Sequence, residues 1–304
     1  MTDEKRIRYL RKPQAGARVI LDTDTYNEID DQFALSYLVK LKKFDIRCFT
    51  AAPFFNDRST SPEDGMERSY AEIKKLLGLL GEDYPVYEGS RGYLPDEKTP
   101  VDSPAARAII KEALDAPEGE PLYVVAIGAI TNVASAILME PEIIEKMTIV
   151  WLGGNASEWP ENKEFNLWQD VAAARIIFGC GVPFVQLPCA GVVDSFISTK
   201  YELEHFLAGK NPLADYLCRN TVDYTEARSG LSCWSKVIWD VTAIGWLVDE
   251  NFMRDKLIPA PIPEYDGKWA FDMTRPLMKQ VWHINRDLLF GDLCEKLTGE
   301  KLWK

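Results

Sequence analysis

From residue 18 onward, short apolar runs alternate with stretches of helical periodicity. Residues 18–21 (RVIL) read as a buried strand, too short and too uniformly apolar for a surface helix. Residues 32–43 carry Phe33, Ala34, Tyr37, Leu38 and Leu41 at helical spacing, and residues 44–52 form the next strand. The alternation then predicts an amphipathic helix over 62–80, a short strand over 86–88 and a loop over 89–101. A helix over 103–116 starts on Ser103 as N-cap, with Pro104 at its first position. Strands at 121–127, 148–152 and 182–187 alternate with helices at 131–139 and 171–178. Residues 199–248 read as mainly helical, a strand follows near 281–284, and a helix over 287–297 closes the pattern.

Such alternation is the mark of βαβ units. The expected fold is α/β, a mostly parallel open sheet with helices on both faces and a Rossmann-like core. No repeat, low-complexity tract or linker interrupts the pattern. Residues 18–304 are therefore expected to form a single α/β domain behind an N-terminal extension over 1–17. In open α/β sheets, ligands bind beyond the carboxyl ends of the strands. The polar clusters at 22–31, 53–56, 128–132 and 153–166 all follow predicted strands, so one site is expected there.

Composition narrows the partners. The 304 residues are 46% hydrophobic and 27% charged, an ordinary globular balance. Forty-seven acidic against 35 basic residues give a net charge of −12. That surface repels nucleic-acid phosphates and acidic lipids while favouring cations and tolerating neutral small molecules. Neither a nucleic acid nor a membrane is expected as a partner. No segment approaches the roughly 20 consecutive apolar residues of a membrane helix. The charged start MTDEKRIRYLRKPQAGAR lacks the apolar run of a secretion signal, so a cytoplasmic location is expected. Cys48, Cys180, Cys189, Cys218, Cys233 and Cys294 form no CxxC or Cys/His cluster, which argues for reduced, packed thiols rather than zinc. Only His205 and His283 could serve a His-centred mechanism.

The sharpest feature is Asp22-Thr23-Asp24-Thr25-Tyr26-Asn27-Glu28-Ile29-Asp30-Asp31. Four aspartates and a glutamate within ten residues repel one another unless a cation binds them. Hard cations with oxygen ligands, Ca²⁺ or Mg²⁺, are the natural partners, although one of the acids could serve only as a helix cap. An EF-hand does not fit, since it needs flanking helices and a glycine in mid-loop. A haloacid dehalogenase-type phosphatase opens with a strand and an Asp-x-Asp pair, which would make Asp22 the nucleophile and Asp24 the acid/base. That reading expects Thr or Val where Tyr26 stands and leaves Asp30 and Asp31 without a role.

Val19-Ile20-Leu21-Asp22-Thr23-Asp24, continued by Ile29-Asp30-Asp31-Gln32-Phe33-Ala34-Leu35, resembles the opening motif of the inosine–uridine-preferring nucleoside hydrolases. Further similar blocks follow in that family's order: FTAAPFFN at 49–56, AIGAITNVA at 126–134, IVWLGGN at 149–155, Glu164-Phe165-Asn166, and KVIWDVTAIGWL at 236–247. The resemblance implies Ca²⁺-dependent hydrolysis of the N-glycosidic bond of ribonucleosides, giving ribose and free base. It implies Asp24, Asp31, the backbone carbonyl of Thr131 and Asp240 as metal ligands, with Asp24 also the general base toward the attacking water. Asp30, Asn56, Glu164 and Asn166 would grip ribose hydroxyls, and Asp22 would support the loop. Either Asn155 or Asn162 would be a further ribose-binding residue. Water attacking opposite the base implies inversion at the anomeric carbon. A homodimer or homotetramer is implied as well.

Each of these positions also has a plainer use. Thr131 and Asn132 could cap a helix, Asn56 could be a turn residue, and Glu164 a solvated charge. Asp240 reads as lying inside an apolar helix among Val237, Ile238, Val241 and Ile244, where a lone carboxylate is costly without a metal. The chain departs from the family pattern in three places. Asp24 and Asp30 are two residues further apart than in Asp-x-Asp-Pro-Gly-x-Asp-Asp, which could bring Asn27 or Glu28 into the pocket. The segment 154–164 is short. Trp239 stands where a histidine often protonates the departing base, a task an indole cannot perform. Trp239, Trp159 and Trp234 could instead stack on a base, which leans the substrate toward purines. A catalytically weak ribose or nucleoside binder is the alternative that the loss of the histidine leaves open.

Overall fold

The structure, a computed structural model, describes residues 1–302. Its central sheet starts with the parallel strands β1 (Arg18–Thr23), β2 (Asp45–Ala51), β3 (Val86–Tyr87), β4 (Leu122–Ala126), β5 (Met147–Leu152) and β6 (Phe184–Leu187). Outside it, β7 (Ile197–Thr199) pairs antiparallel with β8 (Ser235–Val237). The edge strand β9 (Met253–Pro259) precedes a ribbon of β10 (Ile262–Pro263) and β11 (Trp269–Ala270), and β12 (Leu277–Ile284) returns to the sheet. The sheet order is β3-β2-β1-β4-β5-β6-β12-β9, with β12 parallel to β6 and β9 antiparallel at the edge. The expected mostly parallel sheet is present. Strand order reverses between β1 and β4, and such a switch point opens the crevice where ligands bind.

The helices are α1 (Asp3–Tyr9), α2 (Asp31–Leu41), α3 (Pro62–Leu80), α4 (Pro104–Leu114), α5 (Thr131–Met139), α6 (Phe165–Gln169), α7 (Val171–Gly179), α8 (Lys200–Leu207), α9 (Pro212–Ser229), α10 (Val241–Val248) and α11 (Arg286–Thr298). Side chains on a strand alternate between faces, so Val19 and Leu21 of β1 enter one apolar core and Ile20 the other. The first core takes residues of α2, α3 and α8 to α11, and the second takes residues of α4, α5 and α7. Ser103 caps α4 as expected, its hydroxyl accepting from the Ala106 N–H at 3.1 Å. Among the described residues, no helix is long and apolar enough to cross a membrane.

The short strands β7, β10 and β11 were not expected, and four further elements differ from expectation. The extension over 1–17 contains α1, whose Arg6 donates to the Gly181 carbonyl at 3.2 Å and whose Tyr9 carbonyl accepts from Thr148 Oγ1 at 3.0 Å. Strand β9 shows no apolar run because its edge position leaves Arg254, Lys256 and Leu257 exposed to water. The stretch expected to be mainly helical is broken by β8, so Val237 is a strand residue. Asp240 accordingly lies not within a helix but at its N-cap, since α10 begins at Val241. The fourth difference is α6, five residues long and started by the Glu164 carboxylate rather than by any apolar periodicity.

Candidate active site

Register builds the floor of the site. Asp22, the fifth residue of β1, lies beside Thr50 on β2 and Ala126 on β4. Its Oδ1 accepts from Thr50 Oγ1 at 2.6 Å and from Asn132 Nδ2 at 2.8 Å, tying β1 to β2 and to the start of α5. Burial still pushes the Asp22 carboxyl up to about 6. Asp24 emerges just beyond the strand, fully buried, and neither of its carboxylate oxygens has a hydrogen-bond partner. Gly128 makes room for it: a Cβ at that position would stand 2.9 Å from Asp24 Cγ.

The chain then turns into α2, and its first residue, Asp31, accepts from Thr23 Oγ1 at 2.5 Å. Asp30 and Asp240 occupy the N-cap positions of α2 and α10, yet neither side chain caps its helix. A capping aspartate spends an oxygen on the second or third N–H of the helix; these two keep theirs for the crevice. One carboxylate oxygen from each of Asp30, Asp31 and Asp240 lies within 4.8 Å of the others, all three residues buried. The site therefore gathers carboxylates from residues 22–31 and from residue 240, far apart in sequence.

Electrostatics describe an unbalanced cluster. Burial first, and then the neighbouring carboxylates, raise Asp24 and Asp240 well above the usual carboxylate range. Burial and Asp30 raise Asp31 to about 7, and burial and Glu28 raise Asp30 to about 6. The charges acting on Asp24 and Asp240 are those of other carboxylates. An uncompensated buried charge is strongly destabilising, and a hard divalent cation is the group that oxygen donors of this kind accommodate. The buried, unpartnered oxygens of Asp24 fit such an ion.

Above this cluster opens a cavity of about 460 Å³. Asp30, Asn56, Asn155, Glu164, Asn166, Trp239 and Asp240 line it, so seven of the predicted residues reach one space. Asn162 is buried behind them, its Oδ1 accepting from the Asn155 N–H at 2.8 Å. Asn155 faces the cavity with its amide tied to Glu161 O at 3.0 Å and Ala190 N at 3.0 Å. Glu164 accepts from the N–H groups of Gly154, Asn166 and Leu167 at 2.7, 2.9 and 3.0 Å, and burial nevertheless raises its pKa. Asn166 Nδ2 donates to the carbonyls of Ile127 and Leu152, which fixes the side chain across the tops of two strands. Asn56 holds a turn and lines the cavity at once, donating to Asn27 Oδ1 at 2.6 Å and accepting from Arg58 N at 2.8 Å. Thr131 opens α5, and its hydroxyl donates to Asp170 at 2.6 Å.

Of the three tryptophans considered for stacking, only Trp239 lines this cavity. Trp159 borders a different one, and Trp234 packs into the first core. His205 and His283 lie on α8 and β12, away from the cavity lining. Tyr93 was not foreseen. Its phenol donates to Gln169, and its pKa is raised by burial first and then by the nearby Asp24 charge. Lys163, Cys189 and Tyr224 also line the cavity; Lys163 adjoins the Glu164-Phe165-Asn166 block, whereas Cys189 and Tyr224 come from segments with no motif signal. Asn27 and Glu28 are there too, as the longer first loop allowed.

Residues 19–290 match the family described as inosine-uridine preferring nucleoside hydrolase. The chain belongs to that family. It is a hydrolase of the N-glycosidase class. A probable uridine nucleosidase 2 from Arabidopsis thaliana is 31% identical over 136 residues, covering 43% of this chain and 41% of that protein. The non-specific ribonucleoside hydrolase RihC of Salmonella typhimurium is 26% identical over 259 residues, covering 77% of this chain and 79% of that protein. Among solved structures, a plant nucleoside hydrolase superposes with a TM-score of 0.77 at 23% identity, covering 95% of this chain and all of that one, 100%. The last similarity is one of fold. The base named differs from relative to relative, so this nucleoside hydrolase's own base must be argued from its cavity.

Proposed function

We propose that this nucleoside hydrolase cleaves ribonucleosides with the help of Ca²⁺ held by Asp24, Asp31, Asp240 and the backbone carbonyl of Thr131. The observation that carries the reading is the Asp24 carboxylate, buried at the switch point with both oxygens unpartnered. A bound divalent cation would supply Lewis acidity that makes water a competent nucleophile near neutral pH. Asp24 accepts a proton from that water as its oxygen bonds to the anomeric carbon. Asp30, Asn56, Asn155, Glu164 and Asn166 hold the ribose hydroxyls. The surrounding carboxylates stabilise the positive charge that the sugar acquires as the C–N bond breaks.

The bonding electron pair leaves with the base, which takes up a proton. Trp239 offers a stacking surface where a histidine would offer that proton, so solvent protonates a purine ring nitrogen and purines are preferred. Attack from the carboxylate floor, opposite the base, inverts the anomeric carbon. Incubating the Ca²⁺-replete protein with a panel of ribonucleosides and assaying reducing sugar tests the reading. Release of ribose from purine ribosides is expected. Calorimetric binding of ribosides with no ribose released would convert the enzyme into a binder.

A further inference from the structure

Glu28 lies in the lengthened first motif, between Asp24 and Asp30, and no step above uses it. Its side chain is 30% exposed and lines the cavity together with Tyr224 and Trp239. Three distant segments fix it. Lys236 Nζ donates to Oε2 at 2.5 Å, and the Tyr224 hydroxyl donates to Oε1 at 3.2 Å. Arg58 donates to the Glu28 backbone carbonyl at 2.8 Å, with its guanidinium over the Tyr26 ring at 4.2 Å and the Tyr224 ring at 5.3 Å. A surface glutamate has no need of such a frame.

An ionised carboxylate has about four acceptor positions, and Lys236 and Tyr224 occupy two of them. Among the described residues no other hydrogen bond to its carboxylate is formed, so acceptor capacity remains on a side chain that lines the cavity. Glu28 lines the cavity together with Tyr224, whose hydroxyl it accepts from, and with Trp239, the two aromatic side chains of that lining that can offer a ring face near it. It therefore faces the portion of a riboside that stacks on aromatics, the base. Being acceptor-only, it rewards a base edge carrying N–H donors and does nothing for one without them.

We propose that Glu28, held by Lys236 and Tyr224, is a specificity-determining residue that favours ribosides whose base presents adjacent N–H donors. Guanine, with its ring N–H beside an exocyclic amine, matches a carboxylate best. The inference rests on the riboside-hydrolase reading and adds the base edge to it. Pockets built to hydrogen-bond a substrate group reject analogues that lack it far more strongly than apolar pockets reject a size change.

The test compares kcat/KM for guanosine with that for purine riboside, which shares the ribose and has no base N–H donor. Wild type, Glu28→Gln and Lys236→Met are measured with Ca²⁺ present. In Glu28→Gln the guanosine-to-purine-riboside ratio is expected to fall about 10- to 100-fold, the worth of a charge-assisted hydrogen bond. Lys236→Met is expected to lower the same ratio by a smaller factor. If both substrates fall together, Glu28 merely fastens the loop and the proposal is overturned. A ratio within about twofold of wild type overturns it equally. Should the wild type cleave neither riboside, the hydrolase reading fails by itself. The ratio of the two dissociation constants, measured calorimetrically in wild type and Glu28→Gln, then decides the role of Glu28 in the same way, and absence of binding by both ribosides overturns it.

Discussion

The two ends of β1 carry charge in opposite ways. At its start, Arg18 and Arg47 both reach Glu112, at 2.6 and 2.8 Å, and Arg47 also meets Asp45 at 3.1 Å. Lys111 bridges Glu112 and Asp115 beside them, at 3.2 Å each, so three cations and three anions balance there. At its other end, Asp22 and Asp24 lead into Asp30, Asp31 and Asp240, and the carboxylates act chiefly on each other. A balanced charge cluster serves the scaffold. A buried cluster of one sign is completed by something the chain does not encode, and that contrast marks the functional end of the sheet without reference to any relative.

Asp24→Ala is the strongest way to break the comparison. Loss of the proposed general base and metal ligand should lower ribose release by about 10³-fold or more, while the unfolding midpoint of the cation-free protein stays level or rises. A merely halved rate would mean that the orphaned carboxylate is idle. Gly128→Ala comes next: with a Cβ 2.9 Å from Asp24 Cγ, the carboxylate must shift, and a displacement of this kind costs about 100-fold in initial rate. A Gly128→Ala enzyme of wild-type activity would show that the fit around Asp24 is loose.

Chelation probes the same end by stability. A cation present at about 100 times its dissociation constant contributes about 2.7 kcal/mol, so differential scanning calorimetry should show removal lowering Tm by about 4 °C. An unchanged Tm after verified metal removal would mean that the acids tolerate one another unaided. The smallest effect is expected at the balanced end. Glu112→Ala takes from Arg18 its carboxylate partner and leaves Arg47 with Asp45; it should cost about 1–3 kcal/mol in denaturant unfolding, with kcat/KM for a purine riboside within about twofold of wild type. A large activity loss there would erase the distinction between the two ends.

Much of this layout was legible along the chain. Uninterrupted apolar strands such as residues 18–21 announced the sheet, and the acids that follow the first strand announced the site, because both signals are local. The other features depended on long-range geometry. Whether Asn155 or Asn162 faces the cavity is decided by how a short loop folds back on itself, where Asn162 turns inward to hold the Asn155 backbone. Asp240 looked like a mid-helix residue because Val237, Ile238 and Trp239 run on toward the apolar α10 with no glycine or proline to mark the break between β8 and that helix. Tyr224 and Lys236 carry no motif, and only the approach of α9 and β8 to the first loop gives them a role beside Glu28. Strand β9 and helix α6 were silent for related reasons, one being half-solvated and the other having a side-chain cap as its main support.

Glu164 spends its carboxylate on three N–H groups of the segment it belongs to. That wall of the cavity and the first turn of α6 are consequently one object, and a substitution meant to retune the grip on the sugar would unmake the loop that presents it. Divergence toward new substrates has little freedom on that side. It has far more at Asn27 and Glu28, which line the cavity from a first loop two residues longer than the family's motif.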